Sequence, residues 1–189
     1  IEGQPRESLY RFIGPPLHES YEKFYSFSRE QAMQAVSYYR EYYEEKGMFE
    51  NEVYPGIKQL LRDLTKQGVL CLVATSKPEI YAKKILDYYE LSNYFYYIAG
   101  ANMDGTRTDK AEVIAYALKQ IPAEYSNKKV LMVGDRSHDI IGAKKNGIDC
   151  AGVLFGYGSS EELEEAGADF IADSVEAVRN IILLDTAMN

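Results

Sequence analysis

The stretch from Val133 to Lys144, VGDRSHDIIGAK, joins the end of an apolar run to the start of an amphipathic segment. The run predicts a buried strand over 130–133, and the segment predicts a helix after it. Asp135 therefore follows the strand directly, and Asp139 lies about one helical turn further on, on the same side. We expect both carboxylates at the carboxyl edge of a sheet.

The chain after Pro55-Gly56 alternates between apolar runs and helical segments. Predicted strands are 69–74, 95–99, 130–133, 150–154 and 170–172; predicted helices are 57–67, 78–88, 110–120, a segment ending near 146, 160–166 and 175–184. This alternation predicts parallel βαβ units, and hence an α/β fold with a doubly wound, Rossmann-like parallel sheet. Ligands of such sheets bind at the carboxyl ends of strands. The residues expected there include Thr75-Ser76-Lys77, Asn102-Met103-Asp104, Gly134-Asp135 and Phe155-Gly156.

Residues 1–52 carry no good strand signal and predict an all-helical part. Ser28 and Gln31 form a capping-box pattern at the start of a helix that runs to Lys46. Four tyrosines of that helix recur at helical spacing and predict a packing stripe: Tyr38, Tyr39, Tyr42 and Tyr43. We therefore expect a helical domain over 1–52 and an α/β domain over 53–189.

The composition limits the possible partners. The 189 residues are 46% hydrophobic and 26% charged, which is typical of an ordinary soluble globular protein. Asp and Glu number 29 against 21 Lys and Arg, so the formal charge of -8 should repel nucleic acids and anionic membranes. An anionic substrate must therefore be held locally, by a metal ion, backbone N–H groups and a few cations.

Two observations favour a soluble protein of the cytoplasm. Cys71 and Cys150 both lie inside apolar runs, which indicates buried free thiols in a reducing compartment. No run approaches the roughly 20 apolar residues that a membrane-spanning helix needs.

Each candidate site residue has a functional and a structural interpretation. Asp135 and Asp139 suit Mg2+, which takes one or two protein carboxylates and keeps water or phosphate oxygens as its other ligands. Alternatively, Asp135 caps the next helix and Asp139 is a solvated acid of its first turn. Thr75 and the Ser76 N–H precede a helix and suit an anion, or they form a plain N-cap. Lys110 opens a helix against its dipole, which favours a specific task, although an exposed lysine is the simpler interpretation.

The order of these signals along the chain resembles the haloacid dehalogenase superfamily of phosphatases and mutases. In this resemblance Thr75 matches the second motif, Lys110 the third, and Asp135 with Asp139 the fourth. The similarity covers essentially the whole chain, and 133–147 is its most specific part. Three further segments look like the bacterial phosphoglycolate phosphatase-like group, which carries a helical cap: 12–17 (FIGPPL), 74–78 (ATSKP) and 104–107 (DGTR).

The resemblance implies a Mg2+-dependent phosphomonoesterase that acts on a small phosphorylated metabolite through an aspartyl phosphate. Asp135, with Asp139 directly or through water, would hold Mg2+. Thr75, Ser76 and Lys110 would bind the phosphoryl oxygens.

Residues 1–52 would be the family's cap, which excludes water and selects the leaving group. Within the cap, the segment from Arg11 to Leu17, including Gly14, would lie over the site and contact the substrate. Two alternatives stay open: a phosphomutase of the same superfamily, or a non-catalytic receiver-like or pseudoenzyme binding domain.

The family's first motif, Asp-x-Asp-Gly-Thr, which supplies the nucleophile and the general acid and base, does not occur in these residues. The nearest string, Asn102 to Thr106, has an amide in the nucleophile's place and follows the second motif, so we interpret Asp104-Gly105 as a turn. In the resembling fold the strand before the first motif is central, between the strands ending at Thr75 and Gly134. Its absence predicts an inactive, poorly folded fragment of a longer phosphatase. Those two strands should lie roughly 10 Å apart, twice the usual spacing of about 4.8 Å.

Overall fold

The computed structural model describes residues 4–186, and the chain divides into two units, Ile1–Glu52 and Val53–Asn189. The first unit contains helices α1 (Leu17–Tyr25) and α2 (Arg29–Glu45), which pack against each other. Two short 3-10 helices, Arg6–Phe12 and Gly47–Phe49, flank them.

Helix α2 begins with the capping box that the sequence predicts. Ser28 Oγ accepts the Gln31 N–H at 3.2 Å, and Gln31 Oε1 accepts the Ser28 N–H at 2.9 Å. The predicted tyrosine packing stripe is wrong in part, because Tyr38 and Tyr42 are 61% and 53% exposed whereas Tyr43 is buried. The helix buries the face that carries Tyr43 with Ala32 and Val36, and the other three tyrosines, Tyr38, Tyr39 and Tyr42, are exposed.

The second unit alternates between helices and strands in the predicted order. Its elements are α3 (Ile57–Lys66), β1 (Leu72–Pro78), α4 (Glu79–Tyr88), β2 (Tyr97–Ala101), α5 (Lys110–Leu118), β3 (Leu131–Gly134), α6 (Ser137–Lys145), β4 (Asp149–Val153), α7 (Ser160–Glu165), β5 (Phe170–Ala172) and α8 (Val175–Thr186). All strand pairs are parallel: β1 pairs with β2, and β4 lies between β3 and β5. The predicted α/β fold with a Rossmann-like parallel sheet is confirmed.

Within residues 4–186 the strands form two separate groups, β1–β2 and β3–β4–β5, with no ladder between β1 and β3. Helix α5 packs against β1 and β2 and also against α6, so the two groups share a helical layer. The missing ladder agrees with the expectation that β1 and β3 do not pair directly. The separation of roughly 10 Å and the poor folding of the isolated chain stay predictions.

Strand β1 begins and ends later than predicted. Val69 donates its N–H to Leu64 O at 3.0 Å and Gly68 has a φ of 73°, so both residues close the C-terminus of α3. At the other end the extended backbone continues to Pro78, with an irregularity between Ala74 and Pro78 in the pairing with β2. Thr75 and Ser76 therefore belong to the irregular end of a strand and do not cap α4, which has no side-chain cap.

Apolar clusters fix the helices on the strands. One joins α3 and α8 to β4 and β5 through Leu60, Leu64, Val153, Ala172 and Val178. Another joins α6 and α7 to β4 through Ile140, Ala143, Cys150 and Leu163. A third packs α5 on β2 through Ala99, Val113 and Ala117. Strand β4 contributes to two of these clusters. Since β3 pairs with β4 as far as Gly134, the C-terminal end of β3 is fixed on a well-packed strand.

Both cysteines are free, as predicted, but only Cys150 is fully buried and Cys71 is half-buried. Burial raises the pKa of both thiols. None of the helices in the described part of the chain is long and apolar enough to cross a membrane.

Candidate active site

The Asp139 carboxylate folds back onto the turn between β3 and α6. Its Oδ2 accepts the N–H groups of Asp135 at 3.1 Å and Arg136 at 3.2 Å. A Cβ on Gly134 would lie 2.3 Å from Asp139 Cβ, so only glycine leaves room for this arrangement. The interpretation of Asp139 as a solvated acid in the first turn of the helix is therefore wrong. Asp139 is buried and accepts hydrogen bonds.

Lys110 connects the ends of β1 and β3. Its Nζ lies 2.8 Å from Asp139 Oδ1 and donates to Ala74 O at 3.1 Å, and its side chain is only 15% exposed. The simple interpretation as an exposed lysine is therefore wrong. Helix α5 tolerates a cation at its first position because Asp109 caps it, accepting the Ala111 N–H at 2.8 Å.

A glycine of the neighbouring helix makes room for the Lys110 stem. A Cβ on Gly142 would lie 2.9 Å from Lys110 Cγ and 3.0 Å from Ile114 Cδ1. Helix α6 therefore approaches α5 closely enough for Lys110 to reach Asp139. The sequence contains this glycine inside a helix, but its role depends on a partner helix that sequence reasoning could not position.

Ala74, the residue before Thr75 and Ser76, supplies the carbonyl that accepts a hydrogen bond from the Lys110 ammonium. Thr75 Oγ1 accepts the Lys77 N–H at 3.2 Å. Within residues 4–186 the Ser76 hydroxyl forms no hydrogen bond, and both residues are half-buried. The structure thus brings the ends of β1 and β3 together through Lys110.

Asp135 is the acid of this edge that has no cation partner in the described part of the chain. Its Oδ2 accepts the Tyr157 N–H at 2.9 Å. The two nearby cations form ion pairs with other carboxylates. Lys110 pairs with Asp139 at 2.8 Å, and Arg136 pairs with an acid of helix α7.

That acid is Glu162, whose Oε1 accepts Arg136 Nε at 2.9 Å and the Ser137 N–H at 2.8 Å. Burial alone would raise the pKa of Glu162, but the hydrogen bonds from Ser137 and Arg136 outweigh it, and the pKa is lowered overall. The ionised Glu162 carboxylate therefore stabilises the turn that carries Asp135.

The donor set fits a hard divalent cation at Asp135. One carboxylate oxygen has a single N–H donor and the other has none among residues 4–186, so Asp135 can ligate. Both oxygens of Asp139 are engaged, which favours an indirect role for that residue. Within the described residues no group of three His, Cys, Asp or Glu side chains could hold a metal ion. Mg2+ bound here would take its other ligands from water, substrate or elsewhere.

The segment from Asn102 to Thr106, which is similar in sequence to the family's first motif, forms a turn at Asp104-Gly105, as predicted. Asp104 Oδ1 accepts the Thr106 N–H at 2.9 Å and its hydroxyl at 2.7 Å, and Gly105 has a φ of 86°. The hydrogen bonds from Thr106 lower the pKa of Asp104. The Asp104 carboxylate is therefore engaged within its own turn.

Two predicted substrate contacts belong to the first unit. Arg11 lies in the first 3-10 helix, with its guanidinium carbon 4.3 Å from the centre of the Phe24 ring. Gly14 has a φ of 111°, which favours glycine. Their contact with substrate stays a prediction.

The model of the haloacid dehalogenase-like hydrolase family matches residues 2–153. The chain belongs to the haloacid dehalogenase-like hydrolase family. A 5'-nucleotidase of Pseudomonas aeruginosa is 39% identical over 92% of the chain and 78% of its own length. The tyrosine-protein kinase PtkA of Mycobacterium tuberculosis is 37% identical over 90% of the chain, which spans only 58% of that protein.

A solved structure and a further curated relative that are similar to the chain are both named as phosphatases. The crystal structure of a predicted phosphatase from Clostridium acetobutylicum superposes with a TM-score of 0.90 and 44% identity, covering 97% of this chain and 84% of that one. A phosphoglycolate phosphatase of Vibrio vulnificus is 27% identical over 91% of the chain and 75% of its own length. The predicted resemblance is confirmed.

Proposed function

We propose that this chain is the cap and core of a Mg2+-dependent phosphomonoesterase that acts on small phosphorylated metabolites. The observation that carries the proposal is the distribution of charge at the ends of β1 and β3. Lys110 and Arg136 are each paired with a carboxylate other than Asp135. Among the residues that the structure describes, none of the ion pairs includes Asp135, which lies at the edge where parallel sheets bind ligands, and a hard cation would compensate its charge.

The chain's own residues bind and orient the phosphoryl group. The Thr75 hydroxyl and the Ser76 N–H donate to phosphoryl oxygens. The Lys110 ammonium has three N–H donors, two of which are used within the site, and the third donates to another phosphoryl oxygen. Asp135 holds Mg2+, which supplies charge stabilisation at the phosphoryl oxygens when bound.

The attacking carboxylate is proposed to come from an Asp-x-Asp segment that these 189 residues do not contain. Its first aspartate attacks phosphorus to form an aspartyl phosphate, and the second protonates the leaving oxygen. The second then takes a proton from water, which attacks the aspartyl phosphate and releases inorganic phosphate.

The substrate class is proposed from the names of the relatives. A 5'-nucleotidase and a phosphoglycolate phosphatase both act on phosphate monoesters, so a panel of nucleoside 5'-monophosphates and 2-phosphoglycolate is the natural first screen. The net charge of -8 disfavours polyanionic substrates such as nucleic acids.

The test compares Asp135→Asn with Asp149→Asn in the full-length protein that contains this chain. Asp149 is an exposed acid at the start of β4, the opposite end of the sheet from Asp135. Turnover of p-nitrophenyl phosphate at saturating Mg2+ should fall to background in Asp135→Asn and stay near the parent level in Asp149→Asn. Retained turnover by Asp135→Asn would remove Asp135 from the site.

A second arm of the same assay concerns the nucleophile. Residues 1–189 expressed alone should give no turnover, because they contain no Asp-x-Asp segment to supply the proposed nucleophile. A folded full-length protein that hydrolyses no member of the panel would instead favour the non-catalytic alternative.

A further inference from the structure

The loop between β4 and α7 donates a hydrogen bond to the Asp135 carboxylate. Tyr157, in this loop, donates its backbone N–H to Asp135 Oδ2 at 2.9 Å. The bond engages one carboxylate oxygen and leaves Oδ1 without a partner among residues 4–186. A backbone donor at this position fixes the rotation of the carboxylate whatever side chain residue 157 carries.

The glycines on either side of Tyr157 allow this approach. A Cβ on Gly156 would lie 2.3 Å from Asp135 Cβ and 2.4 Å from its Oδ2, and a Cβ on Gly158 would lie 2.1 Å from Asp135 O. Neither glycine has a φ in the left-handed region, so the backbone does not require glycine at either position. The need for glycine arises from the closeness of Asp135 itself.

Helix α7, which follows the loop, holds the next two residues of the β3–α6 turn. Glu162 accepts Arg136 Nε at 2.9 Å and the Ser137 N–H at 2.8 Å. Arg136 therefore forms its ion pair with Glu162 and not with Asp135. The segment Gly156–Glu162 therefore contacts both the Asp135 carboxylate and the two residues that follow it in the turn.

We propose that the segment Gly156–Glu162, named here the clasp, is a positioning element that orients Asp135 so that Oδ1 faces the metal ion. The inference rests on the proposed function, because it assigns Asp135 to Mg2+. Groups that orient a metal ligand typically change metal affinity by about 10- to 100-fold when removed. The clasp is expected to act in that range, on Mg2+ affinity and not on phosphate binding.

The decisive variant is Gly156→Ala, in which the added methyl group would push against the Asp135 carboxylate. In the full-length protein, calorimetric titration with MgCl2 should show affinity reduced by about 10- to 100-fold. The KM for p-nitrophenyl phosphate at saturating Mg2+ should stay near the parent value. The Mg2+ concentration for half-maximal activity should rise by the same factor as the dissociation constant.

The matched control is Gly152→Ala. Its Cβ would lie 2.9 Å from Leu163 Cδ1, so it strains the packing of the same strand and helix without touching Asp135. Gly152→Ala should lower thermal stability and leave Mg2+ affinity unchanged. Equal losses of affinity in Gly152→Ala and Gly156→Ala would overturn the clasp, because general loosening would then explain both.

A second variant covers the case in which Gly156→Ala does not fold. Glu162→Gln removes the negative charge of Glu162 without adding an atom that clashes. It should weaken Mg2+ binding by about tenfold, the low end of the range for groups that orient a metal ligand. Unchanged Mg2+ affinity in Glu162→Gln and in any folded Gly156→Ala would refute the clasp. If the parent protein binds no Mg2+ and Asp135→Asn changes nothing, the proposed function fails, which is a different result from a failed clasp.

Discussion

Replacing Lys110 with methionine should strongly destabilise the second unit, because it leaves Asp139 charged and without its cation. The two side chains are 15% and 9% exposed and lie 2.8 Å apart, so solvent screens their interaction only weakly. Removing one partner of a buried ion pair costs about 3–5 kcal/mol. Asp139 keeps its two backbone N–H donors in the variant, so we expect the lower end, about 3 kcal/mol.

The measurement is urea unfolding of the full-length protein followed by circular dichroism, with thermal unfolding beside it. For a protein of this size a loss of about 3 kcal/mol lowers Tm by roughly 6–12 °C. The control is Lys128→Met, an exposed lysine outside the site, which should change stability by less than about 0.5 kcal/mol.

The double variant Lys110→Met/Asp139→Asn separates the ion pair from simple loss of packing. Asparagine keeps an oxygen that can accept an N–H but carries no charge. The double variant should therefore be more stable than the sum of the single changes predicts, with a coupling of about 1–3 kcal/mol. Strict additivity, or a loss below about 1 kcal/mol in Lys110→Met, would refute the account of Lys110 as the partner of a buried charge.

Two further predictions concern the turn after β3. The pKa of Glu162 is lowered in the folded state by its bonds to Ser137 and Arg136, so its contribution to stability is present above its unfolded pKa and is lost as the pH falls through the folded value. Glu162→Gln should therefore lower the urea midpoint at pH 7, and the difference from the parent protein should shrink below roughly pH 4; a difference that grew in acid would contradict this sign. Gly134→Ala places a Cβ 2.3 Å from Asp139 Cβ and should cost about 1–3 kcal/mol as overpacking; a neutral effect in the same urea assay would show that Asp139 can move away freely.

Local signals in the sequence were sufficient for most of the fold. The capping box at Ser28 is formed, α5 begins at Lys110, and β5 covers the predicted residues 170–172. Each of these features depends on side chains within four residues of one another, or on strict apolar periodicity. Strand β1 was misplaced because Val69 bonds back to helix α3, and an apolar residue after a helical turn looks like the start of a strand.

The site was less predictable, because its contacts join residues that are far apart in the sequence. Motif order indicated that Lys110 would serve the same edge as Asp135, but it did not indicate that Lys110 pairs with Asp139. The glycines at 156 and 158 gave a weak signal as a Gly-x-Gly pattern after a strand. Only the distance of their missing Cβ atoms from Asp135 explains that pattern.

The two ion pairs at this edge of the sheet join Lys110 and Arg136 to carboxylates other than that of Asp135. An unpaired Lys110 or Arg136 would be attracted to Asp135 and, under the proposed function, would compete there with Mg2+. Asp139 and Glu162 prevent this by binding those cations at 2.8 Å and 2.9 Å, and their backbone N–H donors stabilise their own negative charge. The second aspartate of the Gly-Asp-x-x-x-Asp pattern thus serves the first by removing a competitor. The spacing of one helical turn allows this role, because it places the Asp139 carboxylate within reach of both the Asp135 N–H and Lys110.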